Sequence, residues 1–121
     1  MSKDTVETKE LLGRYYDDLL SRTDWQTLLS DDFLLSGTVP QESRGRDIYM
    51  KNGFFKLVRG LKVKEMIVDG ESAFALVTYD LVSPKGKTMK CDVAECWKAK
   101  DGLLDSIAIY FDTAAFARFL T

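Results

Sequence analysis

From Thr88 to Lys98 apolar and polar residues alternate. Met89, Cys91, Val93, Glu95 and Trp97 share one parity, and Thr88, Lys90, Asp92, Ala94, Cys96 and Lys98 share the other. Successive side chains of a strand point to opposite faces, so the odd positions form the apolar face. Glu95 is the one charge on it. A carboxylate on such a face is costly unless it is paired, protonated or wetted by a cavity. Burial would raise its pKa and leave it able to donate a hydrogen bond while still protonated. Glu95 is therefore the first candidate for acid/base chemistry. The chain has no histidine, which removes Ser-His-Asp and Cys-His nucleophile systems and every His-ligated metal site. Any general acid or base must be Asp, Glu, Lys, Tyr or Cys. Cys91 shares the face of Glu95, but a reactive thiolate needs a cationic neighbour. None lies on that face, so Cys91 reads as packing. No metal or other cofactor is expected.

The elements that would position Glu95 can be read from periodicity. Thr5–Arg22 suits a helix, with Leu12, Tyr15, Tyr16, Leu19 and Leu20 on one stripe. Asp24 resembles an N-cap for a short second helix, Trp25–Leu29, which Ser30-Asp31-Asp32 would break. Phe33–Ser36 suits a short strand and Gly37–Arg44 a loop. Gly45–Arg59 reads as a third helix with Ile48, Met50, Phe54, Phe55, Leu57 and Val58 apolar, ended by Gly60. Four strands follow: Leu61–Val68, Ser72–Val82, Lys87–Lys98 and Leu103–Phe111. Asp69-Gly70, Ser83-Pro84-Lys85-Gly86 and Asp101-Gly102 supply the turns. Thr113–Leu120 suits a terminal helical turn, with Asp112 as its cap. Helices first and strands later imply an α+β domain: a curved antiparallel sheet wrapped around three N-terminal helices, a cone with an internal pocket.

At 121 residues the chain is long enough for one domain with a real core. Its net charge of −2 gives no pull toward nucleic acid or an anionic membrane. Lys56, Arg59, Lys62 and Lys64 read as a solvated face. No apolar run approaches membrane-spanning length, and the charged segment Ser2–Glu10 does not resemble a secretory leader. Cys91 and Cys96 lie on opposite faces about 16 Å apart along one strand, out of disulfide reach. Two free thiols suit a cytoplasmic protein.

Four local patterns, taken in order, resemble the nuclear transport factor 2-like superfamily. This group includes SnoaL-like polyketide cyclases, ketosteroid isomerases and limonene epoxide hydrolase. The patterns are Arg14-Tyr15-Tyr16 followed by Asp24-Trp25, Leu29-Ser30-Asp31-Asp32-Phe33, Gly45-Arg46-Asp47, and Glu95-Cys96-Trp97 running to Asp101-Gly102 and Tyr110-Phe111-Asp112. The resemblance covers Thr5 to about Leu120. In ketosteroid isomerases a tyrosine of the first helix and a strand carboxylic acid form an oxyanion hole. Carried over, these are Tyr16, with Tyr15 one register away, and Glu95. The separate base of that family falls near Gly37, flanked by Ser36 and Thr38, neither a competent base unaided. The epoxide hydrolase triad falls on Leu76, Thr78 and Ile109 and is lost.

The resemblance implies a pocket for a small hydrophobic molecule. It points to an isomerase, cyclase or dehydratase on an apolar, oxygenated ring compound; the alternative is a non-catalytic ligand-binding or dimeric interaction module. The catalytic candidates are Glu95 and Tyr16. The candidate ligand-binding residues are Tyr15, Trp25, Tyr49, Phe55, Tyr79, Cys91 and Trp97, and Asn52 lies within reach of the mouth. Ser72–Val82 is apolar on both faces, which suggests that both are covered. Parity alone does not decide whether Tyr79, with Ala73, Ala75 and Val77, faces inward. The superfamily's habit of pairing through the outer sheet face, and the patch that Phe74, Leu76 and Val82 would expose, imply a homodimer.

Overall fold

The structure, a computed structural model, describes residues 2–121. The first helix, α1, spans Lys3–Ser21. Ser2 caps it, its hydroxyl accepting from the Thr5 N–H at 3.2 Å. Its buried stripe runs Thr5, Thr8, Leu11, Leu12, Tyr15, Tyr16 and Leu19. Leu20, read into that stripe from sequence, is 46% exposed. The two buried threonines tie the helix to a hairpin far along the chain. Thr8 donates to the Gly70 carbonyl, and the Gly70 N–H donates to Thr5 Oγ1, both at 2.8 Å. Arg22 closes the helix in the left-handed region (φ 58°). Its guanidinium donates to the carbonyls of Phe55 and Val58 at 3.2 and 2.5 Å.

The second helix is a single 3₁₀ turn, Trp25–Leu28. Asp24 precedes it but makes no side-chain cap; its carbonyl instead accepts from the Thr27 hydroxyl at 2.8 Å. Strand β1 starts at Leu29 and runs to Gly37, so Ser30-Asp31-Asp32 belongs to a strand, with an irregular register between Leu29 and Leu34. Ser43–Arg44, read as loop, forms the short strand β2.

The expected third helix, Gly45–Arg59, is two short ones: α2, Arg46–Met50, and α3, Phe54–Leu57. Asn52 interrupts them by turning its Oδ1 onto the Phe54 N–H at 3.0 Å, a local bond that competes with helix. Chain direction then changes early. Strand β3 begins at Val58 and runs to Asp69, which places Gly60 inside a strand opposite Asp80 rather than at a helix end. Strands β4 (Ser72–Val82), β5 (Thr88–Lys100) and β6 (Leu103–Tyr110) complete the sheet. Helix α4, Thr113–Phe119, is capped by Asp112, whose carboxylate accepts from the Ala115 N–H at 2.9 Å.

The sheet order is β2-β1-β6-β5-β4-β3. β3 to β6 form the antiparallel meander read from sequence, and β1 joins its edge parallel to β6. The result is an α+β cone, a curved open sheet around the helices. Ala75, Val77, Tyr79 and Leu81 of β4 face the helices, as do Cys91, Val93, Glu95, Trp97 and Ala99 of β5. That settles the parity of β4: Tyr79 is inside. Phe74, Leu76, Thr78 and Asp80 face outward. There Thr78 and Lys64 hold Asp92, and Lys90 pairs with Asp80 at 2.7 Å. Among the described residues no helix is long and apolar enough to cross a membrane.

Candidate functional site

Glu95 lies midway along β5, on its inner face, and is 4% exposed. Its cross-strand partners are Ala75 and Ile109. Ala75 is small, and Tyr79 reaches Glu95 across the intervening Val77–Val93 rung. The Tyr79 hydroxyl donates to Oε2 at 2.7 Å. From the other side Tyr16 of α1 donates to Oε1 at 2.5 Å. The Tyr16 oxygen in turn accepts from the Trp97 indole N–H at 3.0 Å. Tyr15, one residue round the helix, turns instead to Tyr49 of α2, and their hydroxyls lie 2.7 Å apart. Among the described residues no buried side-chain nitrogen or oxygen lacks a partner.

Burial pushes the Glu95 carboxyl up to about 7, and the hydrogen bonds donated by Tyr16 and Tyr79 restrain that rise. The phenols of Tyr15, Tyr16, Tyr49 and Tyr79 are all held above their usual range by burial first. For Tyr16, Tyr49 and Tyr79 the charge of Glu95 is the next cause, so they act as neutral donors at physiological pH. An acid with a pKa near neutrality has both protonation states at hand, the condition that favours proton transfer to and from a substrate.

Glu95 and Tyr79 form the polar floor of a cavity of about 180 Å³. Leu35, Val39, Val93, Ile109, Phe54, Phe55, Phe111 and Phe116 make its apolar walls, and Thr38, Pro40, Tyr49 and Asn52 complete the lining. Leu35, Tyr49, Tyr79, Val93 and Glu95 are its buried members, the others are half-buried, and Pro40 alone is exposed. Of the residues expected from sequence, Glu95, Tyr49, Phe55 and Tyr79 line it, and Asn52 does too. Tyr16, Tyr15, Trp25, Cys91 and Trp97 do not. Tyr16 and Trp97 stand behind Glu95, where their hydroxyl and N–H are used on the carboxyl network. Tyr15 and Trp25 pack edge to face in the aromatic core, with centroids 5.6 Å apart. Cys91 lies two inward positions along β5 from Glu95, past the wall residue Val93. Its thiol is pushed up by burial and by Asp92 and Asp112, which disfavours a nucleophilic thiolate.

Gly37, at the expected base position, holds φ 99°, and a Cβ there would lie 2.1 Å from the Ile109 carbonyl oxygen. No side chain, and so no carboxylate base, fits at 37 without moving β1 or β6. Ser36 lies on the outward register with Ala108. Thr38 lines the cavity, but its hydroxyl donates to the Ile109 carbonyl at 3.1 Å. Sequence reasoning missed Thr38, Phe111 and Phe116 as lining. The aromatic spacing Phe111, Phe116, Phe119 was the available sign that the C-terminal segment folds over the cavity. No cluster of three or more His, Cys, Asp or Glu able to hold a metal occurs among the described residues.

No protein-family model matches the sequence, and no curated protein matches it. Solved structures do match over almost the whole chain. A candidate SnoaL-like polyketide cyclase from Jannaschia sp. CCS1 superposes with a TM-score of 0.83 at 15% identity, covering 99% of this chain and 95% of that one. An NTF2-like protein of unknown function from Burkholderia pseudomallei K96243 gives 0.81 at 18% identity, covering 100% and 99%. TerC, co-crystallised with polyporic acid, gives 0.79 at 17% identity, covering 93% and 97%. With the open sheet, the helices and the internal cavity, these likenesses show that the chain has the fold of the nuclear transport factor 2-like superfamily.

Proposed function

We propose that the protein is a SnoaL-like small-molecule enzyme, an isomerase, cyclase or dehydratase, that takes an apolar, oxygenated ring compound. The observation that carries this reading is Glu95, a buried carboxyl with a pKa near 7, set between two tyrosine hydroxyls at the floor of an apolar cavity. As carboxylate it removes a proton from carbon beside a ring carbonyl, and as acid it returns that proton elsewhere. The Tyr79 hydroxyl donates to Glu95 Oε2 in the resting site; once Glu95 has taken up the substrate's proton, that hydroxyl is released to donate to the oxygen on which charge develops. Tyr16 holds Glu95 from behind and does not meet the ligand. The structural neighbour TerC, co-crystallised with polyporic acid, is in keeping with a small-molecule occupant. The barred position at Gly37 favours a second reading, a ligand-binding module without turnover, because Glu95 would then be the sole proton-transfer group at the floor.

Thermal-shift screening with cyclic ketones, phenols and aromatic polyketide analogues, run beside Glu95→Gln, tests both readings. Saturable stabilisation that changes in Glu95→Gln supports the cavity site, and turnover of a hit that is lost in Glu95→Gln supports the enzyme. Stabilisation without turnover supports the binding module. No stabilisation by any compound counts against both.

The outer sheet face fits a homodimer, and the two free cysteines fit a cytoplasmic setting. Ile67, Phe74, Cys96 and Ala108 are neighbours across four strands of that face. Ile67 and Tyr110 there are 58% and 49% exposed. Such a band is what a second copy would cover.

A further inference from the structure

The apolar cavity has a charged neighbour. A shallow depression lined by Arg22, Met50, Lys51, Asn52, Phe55 and Lys56 adjoins it, and the two share Asn52 and Phe55. Three cations from three separate places converge there: the C-cap of α1, the α2–α3 turn and α3. This happens in a chain whose net charge is −2. None of the three is ion-paired among the described residues; the salt bridges there are Lys3–Glu7, Arg46–Asp31, Lys64–Asp92 and Lys90–Asp80. Arg22 is fixed by its bonds to the Phe55 and Val58 carbonyls, so the collar has one rigid member and two lysines free to close on a ligand. The nearest acidic side chain on the same element, Asp47 of α2, lines a different depression with Asp31 and Arg46. Asn52 has its Oδ1 committed to the Phe54 N–H, which leaves its amide N–H groups as donors between the two depressions.

We propose that the ligand is an amphipathic anion: an apolar ring portion fills the cavity, and a carboxylate carried on it projects past Asn52 to the collar of Arg22, Lys51 and Lys56. This rests on the reading of the cavity as a ligand site and adds the charge of what it takes. An apolar cavity with an acidic group at its floor and a basic collar beside it orient such a molecule. The ring oxygen goes in toward Tyr79 and Glu95, and the anionic group stays wet, where lysine ammoniums meet it without the cost of burying an ion. A carboxylate at the floor would instead face Glu95, so the arrangement also selects against the reversed pose.

The test compares 2-naphthol with 6-hydroxy-2-naphthoic acid by calorimetric titration at pH 7.5, in wild type and in the Lys51→Gln/Lys56→Gln variant. Arg22 is left intact because it braces the α3–β3 junction. The acid is expected to bind wild type about tenfold more tightly than the neutral phenol, the effect of two solvent-exposed charge contacts. That ratio should collapse toward one in the double variant and shrink when salt is raised. Equal affinities in wild type, or tighter binding of the neutral phenol, would overturn the collar while leaving the cavity reading standing. A preference for the acid that survives in the double variant would also overturn it. Binding of neither compound would remove the cavity reading and this inference with it.

Discussion

Burying Glu95 makes stability depend on pH in a direction opposite to that of most carboxylates. The carboxyl rises from an ordinary value of 4.5 to about 7 in the folded protein. Between those values the folded chain holds a proton that the unfolded chain has released. Raising the pH therefore favours unfolding. The contribution of Glu95 to stability is greatest below about 4.5, falls through the window and levels off above about 7, where the cost of the buried charge is fully present. At about 1.4 kcal/mol per unit of separation, the total change is about 3 kcal/mol. Urea melts of wild type and Glu95→Gln from pH 4.5 to 8, at one protein concentration, isolate the effect. Other titrating groups cancel in the difference, and the amide introduced by the substitution does not titrate. Wild type should lose about 3 kcal/mol relative to Glu95→Gln across the window. A flat difference would mean that Glu95 titrates as in the unfolded chain. A difference of opposite sign would mean that the tyrosine hydrogen bonds outweigh desolvation. Either result would refute the reasoning.

Three further outcomes are expected. Tyr79→Phe removes one donor to the carboxylate, so the same pH window should extend upward, with a midpoint above 7 in melts referenced to Glu95→Gln. Gly37→Ala forces a Cβ to within 2.1 Å of the Ile109 carbonyl oxygen at a positive φ; it should cost about 3 kcal/mol or more, read as a lowered melting temperature, or prevent folding. Phe74→Glu places a charge in the outer apolar band and should shift the protein from dimer to monomer in sedimentation at micromolar concentration, whereas a wild-type monomer would contradict the dimer outright.

The meander was the most legible part of the chain, because β5 alternates cleanly and Gly-containing turns bound its neighbours. The bounds Ser72–Val82 read from sequence are those of β4. Yet its two apolar faces hid which side Tyr79 occupies, and only the register against Cys91 and Glu95 reveals it. Glu95 stood out because a lone charge breaks an apolar parity. Its contact with Tyr16 spans 79 positions, and no local pattern carries it; the family resemblance alone suggested it. The third helix was misread because the apolar periodicity from Ile48 to Val58 outweighed Asn52-Gly53. A side-chain bond to the backbone and a glycine together sufficed to split it. The parallel β1–β6 pairing and the close approach at Gly37 are tertiary facts, and a glycine at φ 99° looks in sequence like any loop glycine. Trp25, Trp97 and Tyr15 were plausible walls, being large and amphipathic, but the same properties suit the core where they lie.

The ionisation of Glu95, in a cavity that ligands reach, is the property on which the proposed chemistry depends. Carbon-13 NMR of the glutamate carboxyls from pH 4 to 9, assigned with Glu95→Gln and repeated with saturating 6-hydroxy-2-naphthoic acid, measures both at once. One resonance should titrate near 7 and change its midpoint when the ligand is present. A Glu95 that titrates in the ordinary carboxylate range, or a midpoint near 7 that the ligand leaves untouched, would contradict it.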